Sequence, residues 1–166
     1  KIKKDTSIHD KKFRRGNGKA RFSNVIIKNS NGEKKFHFSL IENILVEFEV
    51  NIEQQLKHMI FVFAFKSPST GEIVSSTEKL LSENTLQANQ KIKYELNINT
   101  RDLMPNTYDI LMWIGEKEKE GDFDVFDRIL PPLIISNDNN NSMTKEVGEW
   151  GYNSIKSDIT KIKEDN

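Results

Sequence analysis

The chain has 166 residues, enough for one domain, and its 25 basic side chains balance 25 acidic ones. This zero net charge argues against nucleic-acid binding, because proteins that bind nucleic acids usually carry a basic excess to neutralise phosphates. The absence of cysteine excludes disulfides and thiolate metal sites, and no apolar run of about 18 residues is present to span a membrane.

The first sixteen residues are predicted to be a linker or tail. Residues 1–16 contain scattered charges, one phenylalanine and no hydrophobic periodicity. The basic residues at Lys1–Lys4 are followed by no apolar segment, so we expect no signal peptide in this sequence. Nearly all ten phenylalanines lie further on, which places the folded domain at 17–136 and a spacer with a charged tail at 137–166.

From residue 20 onwards, short runs of β-branched and aromatic residues alternate with turn residues and predict strands. The run 20–28 ends at Asn29–Gly32, whose Asn-Gly pair favours a reversal of the chain. The run 45–52 alternates apolar and polar residues, which is typical of a half-buried strand. The run 59–65 is apolar on both faces and therefore predicts a strand in the middle of a sheet.

The second half of the chain continues this pattern. A turn at 67–71 leads into a predicted strand at 72–77, whereas 78–89 is compatible with a helical turn or a loop. Further extended segments are predicted at 36–38, 91–98, 108–114, 123–129 and 133–136. About eight short strands at regular intervals, with no long helix, indicate an all-β fold. We expect an Ig-like or jelly-roll antiparallel β-sandwich, with a barrel as the alternative.

The C-terminal segment carries an apolar motif in polar surroundings. Asparagines dominate the stretch 137–141, which predicts a flexible spacer. Beyond it, Val147, Trp150 and Tyr152 form a compact apolar group, followed by a charged tail. Such a group should dock, either on its own domain or on a partner subunit reached across the spacer.

The order of several short motifs resembles the C-terminal domain of Wzt-type ATPases, the ATP-binding subunits of O-antigen exporters. Arg15–Ala20 opens the first strand as that family's Gly-x-Gly-x-Ala element does. Leu103–Tyr108 is similar to its Leu-x-Pro-Gly-x-Tyr turn, with Asn106 in place of the glycine. Further similar elements, in the family's order, are the strand Phe61–Phe65, the pair Asp127-Arg128 before the strand 133–136, and Gly148-Glu-Trp150.

The resemblance implies a non-catalytic domain that recognises a finished lipid-linked polysaccharide for export, in the cytoplasm at the inner face of the plasma membrane. It also implies a homodimer formed by exchange of the C-terminal strand, with Val147, Trp150 and Tyr152 as the exchanged residues. The sequence contains no phosphate-loop motif. The chain would therefore be the recognition domain alone, linked to the transmembrane permease subunit through an ATPase domain that precedes it.

Glycan binding requires aromatic rings against which sugar C–H faces pack, and polar groups that bond the hydroxyls in a concave site. Trp113 is the leading candidate because it shares a strand face with Asp109, and burial in the core is the alternative for it. Phe63 has the same two interpretations. The further candidates are Lys66, Ser75, Asp127 and Arg128.

No catalytic residue, metal site or cofactor is predicted. None of the three histidines stands beside a nucleophile in a recognisable pattern. The carboxylates between residues 116 and 127 are interleaved with lysines, which is more typical of a solvated loop than of a calcium site or of the carboxylate pair of a glycosidase.

Two other functions remain as alternatives. One is an extracellular Ig-like or carbohydrate-binding surface module, which would carry a secretion signal and be a monomer. The other is a protein-interaction scaffold that binds no sugar. Specificity for a particular sugar lies in loop geometry that no motif encodes.

Overall fold

The computed structural model describes residues 14–40, 42–116, 121–137 and 153–165. Within these ranges the regular structure is β apart from a 3₁₀ turn at Thr100–Asp102, which confirms the predicted all-β sandwich. In the described ranges the strands number twelve rather than about eight. They are β1 (Arg14–Arg15), β2 (Ala20–Lys28), β3 (His37–Ser39), β4 (Asn43–Ile52), β5 (Met59–Lys66), β6 (Ile73–Ser82), β7 (Lys91–Asn99), β8 (Asn106–Glu116), β9 (Gly121–Asp127), β10 (Leu133–Ser136), β11 (Asn153–Ser154) and β12 (Ser157–Asp165).

The strands form two sheets. The eight-stranded sheet has the order β1-β9-β8-β5-β6-β11, with β10 beside β8 and β3 beside β10. The four-stranded sheet has the order β12-β7-β4-β2. Neighbours are antiparallel except for the pairs β3–β10 and β6–β11.

Alternation of residue type along the strands decides which faces meet in the core. In β4 the apolar residues of the alternating run are buried, and the carboxylates between them are only partly covered. Phe48 stacks on Tyr94 of β7 within its own sheet and on Phe61 of the other sheet, with ring centroids 5.5 and 4.4 Å apart. Burial of each such ring stabilises the fold by roughly 2 kcal/mol or more. These stacked rings hold the two sheets together.

The opposite face of the four-stranded sheet is covered with ion pairs. Lys28 contacts Glu47 and Glu95 at 3.0 and 2.9 Å, and Lys93 contacts Glu47 at 2.7 Å. Lys91 contacts Glu49 in the neighbouring row. Cations and carboxylates compensate each other across the strands, as expected of a solvated sheet face.

A tyrosine corner fixes the turn before β8. The hydroxyl of Tyr108 donates a hydrogen bond to the carbonyl oxygen of Met104 at 2.6 Å, and burial raises the pKa of this phenol. The Leu103–Tyr108 motif singled out in the sequence therefore forms a tight turn of a kind common in β-sandwiches.

Three segments differ from the sequence prediction. The ambiguous stretch after residue 77 continues β6 to Ser82, because β5 supplies a ladder partner as far as that residue. Arg14–Arg15, placed in the linker, pairs with β9. Residues 157–165, placed in a charged tail, form an edge strand against β7. Charged residues suit an edge strand, since its outer side faces water.

Some predictions fall outside the described residues. The docking group of Val147, Trp150 and Tyr152 belongs to these, as does most of the asparagine-rich spacer. In the part of the chain that is described, no helix is long and apolar enough to cross a membrane.

Candidate functional site

The face of the eight-stranded sheet that points away from the core is apolar at its centre. Val62 of β5 pairs with Trp113 of β8, which in turn pairs with Val125 of β9. Two residues further along the same strands, Ala64 of β5 pairs with Leu111 of β8. Cross-strand partners point to the same side of a sheet, so these five residues share one face, which we call the Trp113 face. Val62, Leu111 and Trp113 are partly exposed on it, whereas Ala64 and Val125 are buried beneath their neighbours.

The indole of Trp113 is held in one orientation. Its Nε1–H donates to Oδ1 of Asp122 at 2.7 Å. A β-carbon on Gly115 would lie 2.1 Å from the ring atom Cζ2, so the ring occupies the space that a side chain at residue 115 would take. The side chain is half-buried and part of the ring remains accessible.

A charged cluster lies at the other end of the Trp113 face. Lys66 Nζ contacts Asp127 Oδ1 at 2.9 Å, and Arg128 Nε approaches the same oxygen at 3.5 Å. Asp109 is the register partner of Lys66 on β8. Arg128 has a positive φ of 58°, and its backbone N–H donates to the carbonyl oxygen of Ile110, so the chain turns sharply where β9 ends. Asp127 thus holds two cations at the margin of the apolar surface.

The outward-facing residues of β8 form a strip along the middle of the Trp113 face. Asp109, Leu111 and Trp113 alternate on the outer side, so the strip spans about 13 Å from the first to the last. Its ends are polar and its centre is apolar, and at the Lys66 end both Lys66 and Arg128 are paired with Asp127. A segment of ligand with apolar faces and several hydroxyl groups matches this strip better than a charged segment does.

The structure brings together most of the residues that the sequence predicted. On or beside the Trp113 face lie Trp113, Lys66, Asp109, Asp127 and Arg128. Phe63 and Ser75 are not brought to it. Phe63 is fully buried and pairs with Met112 and Thr77 on the core side, and Ser75 is buried on that side as well. Successive residues of a strand point to opposite faces, so Val62 takes the place beside Trp113.

Two residues that orient the Trp113 ring were not predicted from the sequence. Gly115 follows Trp113 by two residues on the same strand, and this spacing is the signal that could have identified the ring's platform. Asp122 was grouped with carboxylates expected to be solvated, and only the structure shows its bond to the indole. Within the described ranges no three metal-ligating side chains gather, and Glu118 and Glu120 of that carboxylate run lie outside them.

Comparison with known proteins identifies one family and many similar solved structures, two of which follow. A family model described as the Wzt C-terminal domain matches residues 11–145. The crystal structure of the C-terminal domain of Wzt has a TM-score of 0.64 and 13% identity, covering 75% of this chain and 77% of that one. A Niemann-Pick type C2 protein from Japanese carpenter ant has a TM-score of 0.51 and 14% identity, with coverages of 74% and 98%. At such identities the two structures indicate a common fold alone, and no curated protein sequence matches the chain.

Proposed function

The chain belongs to the Wzt C-terminal domain family, and on that premise we propose that it recognises a lipid-linked cell-surface polysaccharide of the O-antigen type for export. Membership gives the chain the context of an O-antigen ABC transporter, in which it is a non-catalytic C-terminal domain. Binding of the polysaccharide by this domain is the proposed part, and the geometry of the Trp113 face is the observation that supports it.

The chemistry of the Trp113 face supports a sugar ligand. The oriented indole offers a flat apolar surface for pyranose C–H groups, while Asp122 beside it and Asp109 at the far end offer hydrogen-bond acceptors. An apolar strip of this kind is stabilised when a ligand or partner covers it. The Lys66–Asp127 pair is largely buried, so binding beside it would cost these two side chains little further entropy.

Calorimetric titration with the native O-polysaccharide tests the proposal. We expect Trp113→Ala to weaken binding about tenfold or more, because a central aromatic residue usually dominates such an interface. Ile26→Ala, on the outer side of the four-stranded sheet, is the matched control and should bind like the wild type. Absence of binding by the wild type would favour the scaffold, and unfolding of Trp113→Ala in circular dichroism would assign the ring to the core.

We also propose that the domain is a homodimer formed by exchange of the C-terminal strand. β12 is an edge strand that pairs with β7 from Ser157 to Asp165, and Ile155 just before it is buried. The preceding segment 138–152 could extend to about 50 Å, which is ample reach for a neighbouring subunit. A partner's β12 would make the same contacts. Val147, Trp150 and Tyr152 remain the proposed docking group within that segment.

The domain would work in the cytoplasm, at the inner face of the plasma membrane. It would reach the transmembrane permease subunit through an ATPase domain encoded upstream. A phosphate-loop motif in the reading frame before Lys1 is the expected finding. A secretion signal in its place would favour the extracellular surface module.

A further inference from the structure

A cavity lies at one side of the sandwich, where the edge strands β1 and β2 of the two sheets come close. It has a volume of about 220 Å³ and is lined by three arginines, two loop glycines, one phenylalanine and one aspartate: Arg14, Arg15, Arg21, Gly16, Gly18, Phe123 and Asp124. Three guanidinium groups therefore border one small cavity in a chain whose net charge is zero.

The first of these arginines is fully engaged by the protein. Arg14 Nε and Nη2 donate to Oδ1 and Oδ2 of Asp124 at 2.8 and 2.6 Å, and Nη2 also donates to the carbonyl oxygen of Phe22. The backbone N–H of Phe22 donates to Asp124 in return. Only 11% of the Arg14 side chain and 4% of the Asp124 side chain are exposed. This forked pair is structural and neutral, and it joins the two sheets.

The other two arginines have no such partner among the described residues. In the part of the chain that the structure describes, neither Arg15 nor Arg21 makes an ion pair or a side-chain hydrogen bond, and both are exposed. The lysines on the outer side of the four-stranded sheet, by contrast, contact glutamates. The cavity is thus bordered by two uncompensated positive charges.

The loop between β1 and β2 brings these groups to the cavity. Gly18 has a φ of 76°, and a β-carbon there would lie 2.6 Å from Nη2 of Arg21, so the guanidinium packs directly on the loop backbone. Gly16 has a φ of 129°, and a β-carbon there would lie 2.5 Å from the carbonyl oxygen of Phe123. Glycine at both positions lets the loop approach β9 and Arg21 this closely.

We propose that this cavity binds an oxyanion, the carboxylate or phosphate ester of an acidic group on the glycan, with Arg15 and Arg21 as the donors. A guanidinium presents paired N–H groups that match the geometry of carboxylate and phosphate. Arg15 pairs with Val125, which pairs with Trp113, so Arg15 extends the Trp113 face at about 10 Å from the indole strand. The inference rests on the proposed glycan function and adds that the glycan is acidic.

Small anions test the cavity independently of the polysaccharide. Inorganic phosphate and glucuronate are titrated at constant ionic strength, with glucose as the neutral comparison, and followed by NMR chemical shifts of the Gly16–Gly18 loop. We expect Arg15→Gln and Arg21→Gln each to weaken anion binding about tenfold, and glucose to cause no shift there. Tighter binding of glucuronate would indicate a carboxylate as the natural ligand group, and tighter binding of phosphate would indicate a phosphate ester.

Arg101→Gln is the matched control, since Arg101 is an exposed arginine on the 3₁₀ turn Thr100–Asp102. It should bind both anions like the wild type. Equal anion binding by the control and by the two cavity variants would overturn the proposal, because only unspecific charge attraction would then be left.

The polysaccharide separates this proposal from the proposed function. If the double variant Arg15→Gln with Arg21→Gln binds the native polysaccharide as tightly as the wild type does, the oxyanion site is contradicted and the glycan function stands. If the wild type binds glucuronate or phosphate in the cavity but no polysaccharide, the cavity is supported as an anion site and the glycan function fails.

Discussion

Asp124 joins the two sheets at the side of the sandwich where β1 and β2 meet. It accepts hydrogen bonds from Arg14 and from the backbone of Phe22, and it is nearly fully buried. We expect Asp124→Ala to lower the free energy of unfolding by about 3–5 kcal/mol, because it leaves a buried guanidinium without its partner. Urea denaturation measures the loss. Asp158→Ala, at an exposed position on β12, should change stability by less than about 0.5 kcal/mol, and equal losses would contradict this role of Asp124.

Phe63 was predicted as a binding residue, but the structure places it in the core, and a substitution can distinguish the two roles. It has no exposed surface, and its ring lies 5.3 Å from that of Phe65, centroid to centroid. We expect Phe63→Leu to lower the free energy of unfolding by about 1 kcal/mol and to leave polysaccharide affinity unchanged, since the change stays within the core. Calorimetry well below the melting temperature checks the affinity. Weaker polysaccharide binding by a stably folded variant would show that Phe63 contributes to the binding site.

Glu47 makes stability depend on pH. Burial disfavours its charge, but hydrogen bonds from Lys93 and Lys28 outweigh that effect and hold its pKa below the ordinary value of 4.5. A lowered folded-state pKa stabilises the fold above about pH 4.5, and the gain is lost as pH falls through the lowered value. We expect Glu47→Gln to be less stable at pH 7 and to lose less stability between pH 5 and pH 3. Urea denaturation across that range measures both, and an unchanged slope would exclude Glu47 as a contributor.

At the scale of elements, β12 is a charged sequence that nevertheless completes a sheet. Its backbone pairs with β7 over nearly the whole length of that strand, and its approach is fixed by Lys79 Nζ, which donates to the carbonyl oxygen of Ser157 at 2.5 Å. Its exposed side chains pair with one another, as in Lys163 with Asp165. Hydrogen bonding to an open edge thus outweighs the low apolar content of the segment.

Two isoleucines at this end of the chain give a matched comparison. Ile155 is 3% exposed and belongs to the core cluster, whereas Ile162 is 48% exposed on β12. We expect Ile155→Ala to lower the free energy of unfolding by about 2–5 kcal/mol, because it opens a cavity, and Ile162→Ala to change it by less than about 0.5 kcal/mol. Chemical denaturation of both variants checks this. Similar small effects would mean that the C-terminal segment does not dock as described.

At the scale of the whole molecule, the proposed strand exchange determines which chain supplies β12. Oγ1 of Thr77 and Oγ of Ser157 lie 2.6 Å apart, and the chain contains no cysteine. Thr77→Cys with Ser157→Cys should therefore form one disulfide, since the side chains are already within bonding reach. Strand exchange predicts a covalently linked dimer on non-reducing electrophoresis. A cross-linked monomer would show that each chain uses its own β12, and Ser157→Cys alone controls for unspecific oxidation.

The sequence by itself determined the all-β class, most strand positions and the family. Period-two alternation is a local property that can be read without knowing the partners. The ordered motifs predicted the family, and the family model confirms it over residues 11–145. Alternation also showed that Val62 and Phe63 point to opposite faces, but not which face meets the core.

Only the tertiary structure decided what depends on distant segments. Asp124 meets Arg14 across 110 residues, and β12 meets β7 across the C-terminal half of the chain. The same holds for the bond between Asp122 and the indole of Trp113, which requires β8 and β9 to pair in one register. Pairing of this kind arises from hydrogen bonding between sheet edges and from burial, which local residue order does not encode.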